Sequence, residues 1–180
     1  EEAKERGLHR TAHAGETGGP ASVAQAVELL GAERIGHGVS AARDAEVLAL
    51  LRDRMITVEV CPTSNVATGL LPSVEAHPLP KFLEAGLRTT INSDDPALFG
   101  STLQEELIVC ARAFRLSGSQ IVELLKNSIR ASFTSEEHKQ ALSSELDNVA
   151  RREIRDEMIE DKELTAALSK APEPPLSHRR

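Results

Sequence analysis

Three short segments carry most of the chemistry open to this 180-residue chain: His13-Ala-Gly-Glu16, Ile35-Gly-His-Gly38 and Ser93-Asp-Asp-Pro96. Each follows a short apolar run and precedes a helical pattern, which places it at the C-terminal end of a strand. In an α/β barrel those strand ends share one face, and that face carries the chemistry. Two imidazoles and three carboxylates, from His13, Glu16, His37, Asp94 and Asp95, then converge on one pocket. That is the ligand and acid/base set of a metal-assisted hydrolase.

Taken singly, each segment has a plainer reading. Gly15 lets the backbone swing so that His13 and Glu16 face one cavity, yet His13 could equally be a hydrogen-bonded strand residue. Gly36 and Gly38 around His37 allow a close approach or a sharp turn. Asp95 is a good helix N-cap before Pro96, a good first helical residue. That accounts for one aspartate, while two adjacent carboxylates need a cation or hydrogen bonds to offset their repulsion. Cys61, in Cys61-Pro-Thr-Ser-Asn65, has no neighbouring cation and reads as a packed residue beside a rigid loop-forming Pro62. His9, His77, His138 and His178 have no partners at ligand spacing and read as surface or packing residues.

The elements that would position these residues alternate between strand and helix from Leu8 to Leu116. Strands are expected at Leu8–His13, Arg34–His37, Thr57–Cys61 and Arg88–Asn92, and helices at Val23–Leu30, Asp44–Arg54 and Leu79–Ala85. Four strands joined through helices imply a parallel sheet. The chain opens without Met, on a segment that resembles the last turns of a helix capped at Gly7. After the last expected strand the chain becomes helical, with capping boxes at Thr102-x-x-Glu105, Ser117-x-x-Gln120 and Thr134-x-x-Glu137. Residues 136–163 hold ten acidic and five basic side chains, most of the net charge of −7. Leu142, Leu146, Val149, Ile154 and Met158 form a helical stripe there, read as the inner face of a surface helix. The expected organisation is a partial barrel over residues 1–135, an acidic helical segment over 136–170 and a disordered tail over 171–180.

Composition narrows the function further. A hydrophobic share of 40% and a charged share of 27% are those of a globular protein with a sizeable core. The acidic balance disfavours nucleic acid as a partner. No apolar run approaches the ~20 residues of a membrane span, so no membrane partner is expected. Two cysteines, Cys61 and Cys110, are too few for a disulfide framework and fit a reducing cytoplasm.

In this order and at successive strand ends, the motifs together resemble the adenosine deaminase family of zinc-dependent purine deaminases. The matching segments are His13-Ala-Gly-Glu16, Glu33-Arg-Ile-Gly-His-Gly38, Glu59-Val-Cys-Pro-Thr-Ser-Asn65 and Asn92-Ser-Asp-Asp-Pro96. The helix from Asn127 that ends in Ala131-Ser-Phe133 adds to them, and the resemblance spans roughly residues 1–142. It implies an α/β chain forming the C-terminal half of a (β/α)8 TIM-type barrel, followed by C-terminal helices. It implies that His13 and Asp94 bind Zn2+, that Glu16 protonates purine N1 and that His37 orients and deprotonates the zinc-bound water. Asp95 would hydrogen-bond purine N7, with Gly15 beside the substrate.

The implied reaction is hydrolysis of a purine nucleoside, adenosine or 2'-deoxyadenosine, to the inosine product and ammonia, a step of purine salvage. The family's first strand carries a His-x-His pair that supplies two further zinc ligands, and this sequence contains none. The expectation is therefore a parent protein that begins upstream, with a missing N-terminal half-barrel completing the site and this chain alone inactive. Two alternatives stay open: an adenine deaminase acting on the free base, and an inactive truncated or assembly module.

Overall fold

The computed structural model describes residues 2–168, and the side chains of residues 2–152. The chain divides into one compact unit, Glu1–Lys139, and a second that begins at Gln140. The expected tail over residues 171–180 lies outside the described residues.

The first unit is built on four strands: β1 (Thr11–Ala14), β2 (Arg34–His37), β3 (Thr57–Val60) and β4 (Thr89–Ile91). They form one sheet in the order β1-β2-β3-β4, with every pair parallel. A short α1 (Glu2–Glu5) precedes the sheet and ends at Gly7, whose φ of +67° suits glycine. Helix α2 (Pro20–Glu28) connects β1 to β2, and α3 (Ala45–Asp53) connects β2 to β3. Between β3 and β4 lie α4 (Pro62–Ala67) and α5 (Leu79–Glu84). After β4 come α6 (Pro96–Phe99), α7 (Leu103–Phe114) and α8 (Gly118–Ala131), and α9 (Glu136–Leu168) closes the described chain.

Strand alternation sorts the sheet into two faces. Ile35, Val58, Val60 and Ile91 lie on one, buried with Val23, Leu51, Leu79 and Phe82 from the covering helices. Each such side chain contributes about 1.5–3 kcal/mol through removal from water. The other face is polar. Register places His13, Gly36, Glu59 and Thr90 side by side, with Thr11, Arg34 and Thr57 one level below. There Arg34 pairs with Glu59 at 3.2 Å, and Thr11 Oγ1 donates to Glu59 Oε2 at 3.3 Å. Helix α8 is tied to β4 where Asn127 Nδ2 donates to the Thr89 carbonyl. On the same helix end, Arg34 stacks over the Phe133 ring, 3.9 Å from its centre.

Several expectations shift. β1 starts at Thr11, because Leu8 and the residues after it leave α1 through a turn before pairing with β2 begins. Helix α2 starts at Pro20, where proline's fixed φ and missing donor suit a first turn. The segment after Cys61 is a helix rather than a rigid loop, again with proline first. The capping boxes at Thr102 and Ser117 are both formed. The third keeps only half of the pattern, one residue on: Ser135 Oγ accepts from the His138 amide, while Thr134 Oγ1 meets His138 Nδ1. In α9, Leu142 and Val149 are exposed. The side chains of Ile154 and Met158 lie outside those described.

Candidate functional site

The C-terminal ends of the strands gather the titratable side chains. His37 is the hub and is only 2% exposed. Its Nε2 lies 3.7 Å from Glu16 Oε2 and 3.9 Å from Asp94 Oδ2. The His13 ring stands edge-on to it, with centres 4.8 Å apart. The ligand atoms of His13, Glu16 and His37 lie within 4.8 Å of one another, as do those of His37, Cys61 and Asp94. A cavity of about 410 Å³ opens beside them, lined on its polar side by His13, His37, Glu59, Asn92 and Asp94.

Local backbone geometry produces this convergence. Alternation along β2 would send the His37 side chain to the helix-covered face with Ile35. A left-handed backbone, φ 64°, redirects it at the strand end, and Asp94 does the same after β4 with φ 60°. Such a conformation costs on the order of 1–3 kcal/mol in a non-glycine residue, and it persists where surrounding structure enforces it. The two other described residues of this kind, Met55 and Arg115, follow the ends of α3 and α7, where a left-handed residue is ordinary. Gly36 makes room for His13: a Cβ on it would lie 2.7 Å from the His13 ring.

Hydrogen bonds complete the arrangement. Ser64 Oγ donates to Asp94 Oδ2 at 2.6 Å, a short charge-assisted bond. Asn65, fully buried, places its amide nitrogen 3.1 Å from His37 Nδ1. Glu106, 1% exposed, accepts from the Thr63 amide at 2.7 Å and from Ser101 Oγ at 2.9 Å, which ties the start of α4 to α7. Sequence reasoning missed Ser64, Asn65 and Glu106. The signal for the first two was their position directly after a strand end, in a segment already singled out. The adjacent aspartates are relieved by hydrogen bonds, Asp94 by Ser64 and Asp95 by the Leu98 amide at 3.0 Å.

Electrostatics separates the groups. Burial holds the His37 imidazole below its ordinary value, with Glu16 pulling the other way and His13 adding to the depression. Burial pushes the Cys61 thiol up to about 12, with Asp94 reinforcing it, so Cys61 is a packed thiol at neutral pH. His77 is also a packing residue: its Nδ1 accepts from the Leu79 amide and its ring meets Phe82.

The sequence-derived set is therefore brought together at His13, Glu16, His37 and Asp94. Two expected substrate contacts stand apart. Asp95 spends one carboxylate oxygen capping α6 and does not line the cavity. Gly15 is buried, its amide donates to Ser22 Oγ and its φ of +68° serves the turn that carries Glu16.

Parallel strand–helix units with histidines and carboxylates at the strand ends match the arrangement of a site on the C-terminal face of a β/α barrel. The Adenosine deaminase family model matches residues 1–149, and the chain belongs to that family. Over 141 residues it is 47% identical to an aminodeoxyfutalosine deaminase of Streptomyces coelicolor, covering 78% of this chain and 36% of that protein. It is 45% identical to an Escherichia coli adenosine deaminase, covering 78% and 42%. Among solved structures it resembles an adenine deaminase from Arthrobacter aurescens, with TM-score 0.80, 36% identity and coverage of 83% and 46%. It also resembles a Burkholderia ambifaria amidohydrolase with bound Zn, with TM-score 0.76, 27% identity and coverage of 83% and 42%. The chain thus spans about two fifths of the length of the curated relatives it matches. Among the described residues no helix is long and apolar enough to cross a membrane.

Proposed function

We propose that the protein containing this chain hydrolytically deaminates a 6-aminopurine, with adenosine or 2'-deoxyadenosine as substrate. The observation that carries the reading is His37 held between Glu16 and Asp94 at 3.7 and 3.9 Å, beside His13, at the strand ends. In this role the Glu16 carboxyl delivers a proton to a ring nitrogen of the purine, which makes the amino-bearing carbon electrophilic. His37 contacts the attacking oxygen through Nε2. Water adds at that carbon, ammonia leaves, and the nucleoside becomes its inosine counterpart. Asp95 keeps one carboxylate oxygen outside its cap for a purine nitrogen, and Gly15 shapes the turn beside the substrate.

The donor set fits zinc in part: imidazoles and carboxylates gather in two clusters that share His37, with His13 in one and Asp94 in the other, and His13 and Asp94 would hold the ion. When bound, zinc would supply a water acidic enough to act as a nucleophile near neutral pH, its pKa lowered to roughly 7. A catalytic zinc wants at least three protein ligands, so the rest of the site comes from a further half-barrel. Two buried free thiols suit a reducing cytoplasm as the location.

The relatives named above act on adenosine, on aminodeoxyfutalosine and, for the solved structure, on adenine. They share the aminopurine and differ in what it carries. The adenine deaminase likeness keeps the free base as the second reading. The test is a panel of adenosine, 2'-deoxyadenosine, adenine and aminodeoxyfutalosine, followed by absorbance on the protein carrying this chain with zinc added. Adenosine turned over fastest supports the reading, adenine fastest replaces it with the alternative, and no turnover of any leaves an assembly module.

A further inference from the structure

We propose that Asn65 is a positioning residue that keeps the His37 proton on Nε2, so that the ring presents an N–H and not a lone pair to an oxygen in the cavity. The meaning of this for catalysis rests on the function proposed above; the proton position itself does not.

The argument starts from what each group can do. The Asn65 amide nitrogen lies 3.1 Å from His37 Nδ1 and can only donate. Nδ1 must then be the acceptor, and the ring proton sits on Nε2. Asn65 is fully buried and His37 is 2% exposed, so water does not compete for either. Turning the amide over would put its oxygen on Nδ1 and force the proton there. Two features oppose that. First, the present orientation leaves Asn65 Oδ1 buried without a partner, and the reverse would leave a buried N–H there. An under-satisfied carbonyl is tolerated more readily than an orphaned N–H. Second, Nε2 faces two carboxylates, Glu16 at 3.7 Å and Asp94 at 3.9 Å. An N–H directed at them is attracted, whereas a lone pair is repelled.

The consequence changes the role expected for His37. A ring with its proton on Nε2 holds the attacking oxygen by donating to it and cannot take that oxygen's proton at the same nitrogen. Proton acceptance then falls to the carboxylate of Glu16 beside it, which passes that proton on to the ring nitrogen of the purine. The amide is suited to this where an acid is not: aspartate at position 65 could only accept, and would draw the proton to Nδ1.

The experiment reads the ring nitrogens of the full chain, labelled with 15N-histidine and free of added metal, in long-range 1H–15N spectra at pH 7.5. A His37→Gln variant assigns the signals by their loss. The expected result is an unprotonated Nδ1 and a protonated Nε2 in the wild type, and a protonated Nδ1 in Asn65→Asp. A proton on Nδ1 in the wild type, alone or together with Nε2, overturns the proposal. So does an Asn65→Asp protein, folded by circular dichroism, whose Nδ1 stays bare. If the aspartate variant fails to fold, the wild-type spectrum still decides. A complete, zinc-loaded protein carrying this chain that deaminates no aminopurine, with the expected spectrum, refutes only the deaminase reading, and an active one with the proton on Nδ1 refutes only this one.

Discussion

Gly36 faces His13 in register across β1 and β2, and the missing side chain leaves the space the imidazole fills. Gly36→Ala is expected to turn the His13 ring aside. Because His13 is exposed, stability should change by less than about 1 kcal/mol, while zinc affinity, read by chelator competition, falls about 10–100-fold. Unchanged affinity would remove His13 from the ligand set. Within a complete barrel, Glu16→Gln should lower deaminase turnover about 10²–10⁴-fold with zinc retained. Asp94→Ala should lower zinc content and turnover together. Near-normal turnover in the glutamine variant, or full zinc in the alanine variant, would contradict the assigned roles. His13, Glu16, His37 and Asp94 were legible in the sequence because each closes an apolar run, and strand ends share a face. Ser64 and Asn65 were not, because a serine or an asparagine near a helix start ordinarily reads as a cap. Here the N-cap is Cys61, which makes no side-chain cap bond, and the two polar residues turn to Asp94 and His37 instead.

At the scale of elements, the site depends on α4 being held in place. Neighbouring glutamates divide the work on α7: Glu105 completes the capping box on Thr102, while Glu106 reaches the start of α4. Glu106→Ala strands the Thr63 amide and Ser101 Oγ, at a cost of about 2–3 kcal/mol, measurable by urea unfolding. A loss below half a kcal/mol would mean that α4 is held by other contacts. No pattern of residues tells these two glutamates apart, since only the tertiary fold buries one of them. The sequence did place β2 at its observed bounds and α3 between Asp44 and Arg54, where glycines, a capping aspartate and β-branched residues coincide. The short α4 escaped because one or two turns carry no periodicity to read, while α6 was visible only through its cap, Asp95 before Pro96. His77 links this region to pH. Burial holds its imidazole down to about 4 from an ordinary 6.5, with His37 adding to the effect. The unfolded chain therefore takes up a proton that the folded one refuses. Stability is fully present above pH 6.5, falls as pH drops toward 4, and loses about 3 kcal/mol from this group. His77→Gln should flatten that part of the urea-unfolding pH profile; an unaltered slope would assign the acid sensitivity elsewhere.

For the whole molecule, the question is what the polar face of the sheet is for. His13, Arg34, Glu59 and Thr90 lie on it together, and the described sheet stops at β1 on one side and β4 on the other. Edge strands present unpaired amides and carbonyls, which a closed barrel removes by pairing them. The chain covers 46% of the adenine deaminase chain it resembles, close to half a barrel. We expect a second half-barrel to pair with both edges and to add the zinc ligands this chain does not supply. On the proposed reading, the chain alone offers only His13 and Asp94 as ligands. It should therefore lose zinc on dialysis. Addition of the complementary half-barrel of the same protein, as a separate polypeptide, should bring zinc to one ion per complex and adenosine deamination with it. Metal analysis after dialysis and the absorbance assay are read on the same samples. Stoichiometric zinc on the chain alone would show that its own donors suffice and would refute the shared site. Zinc retention by the pair without deamination would keep the barrel and overturn the assigned reaction.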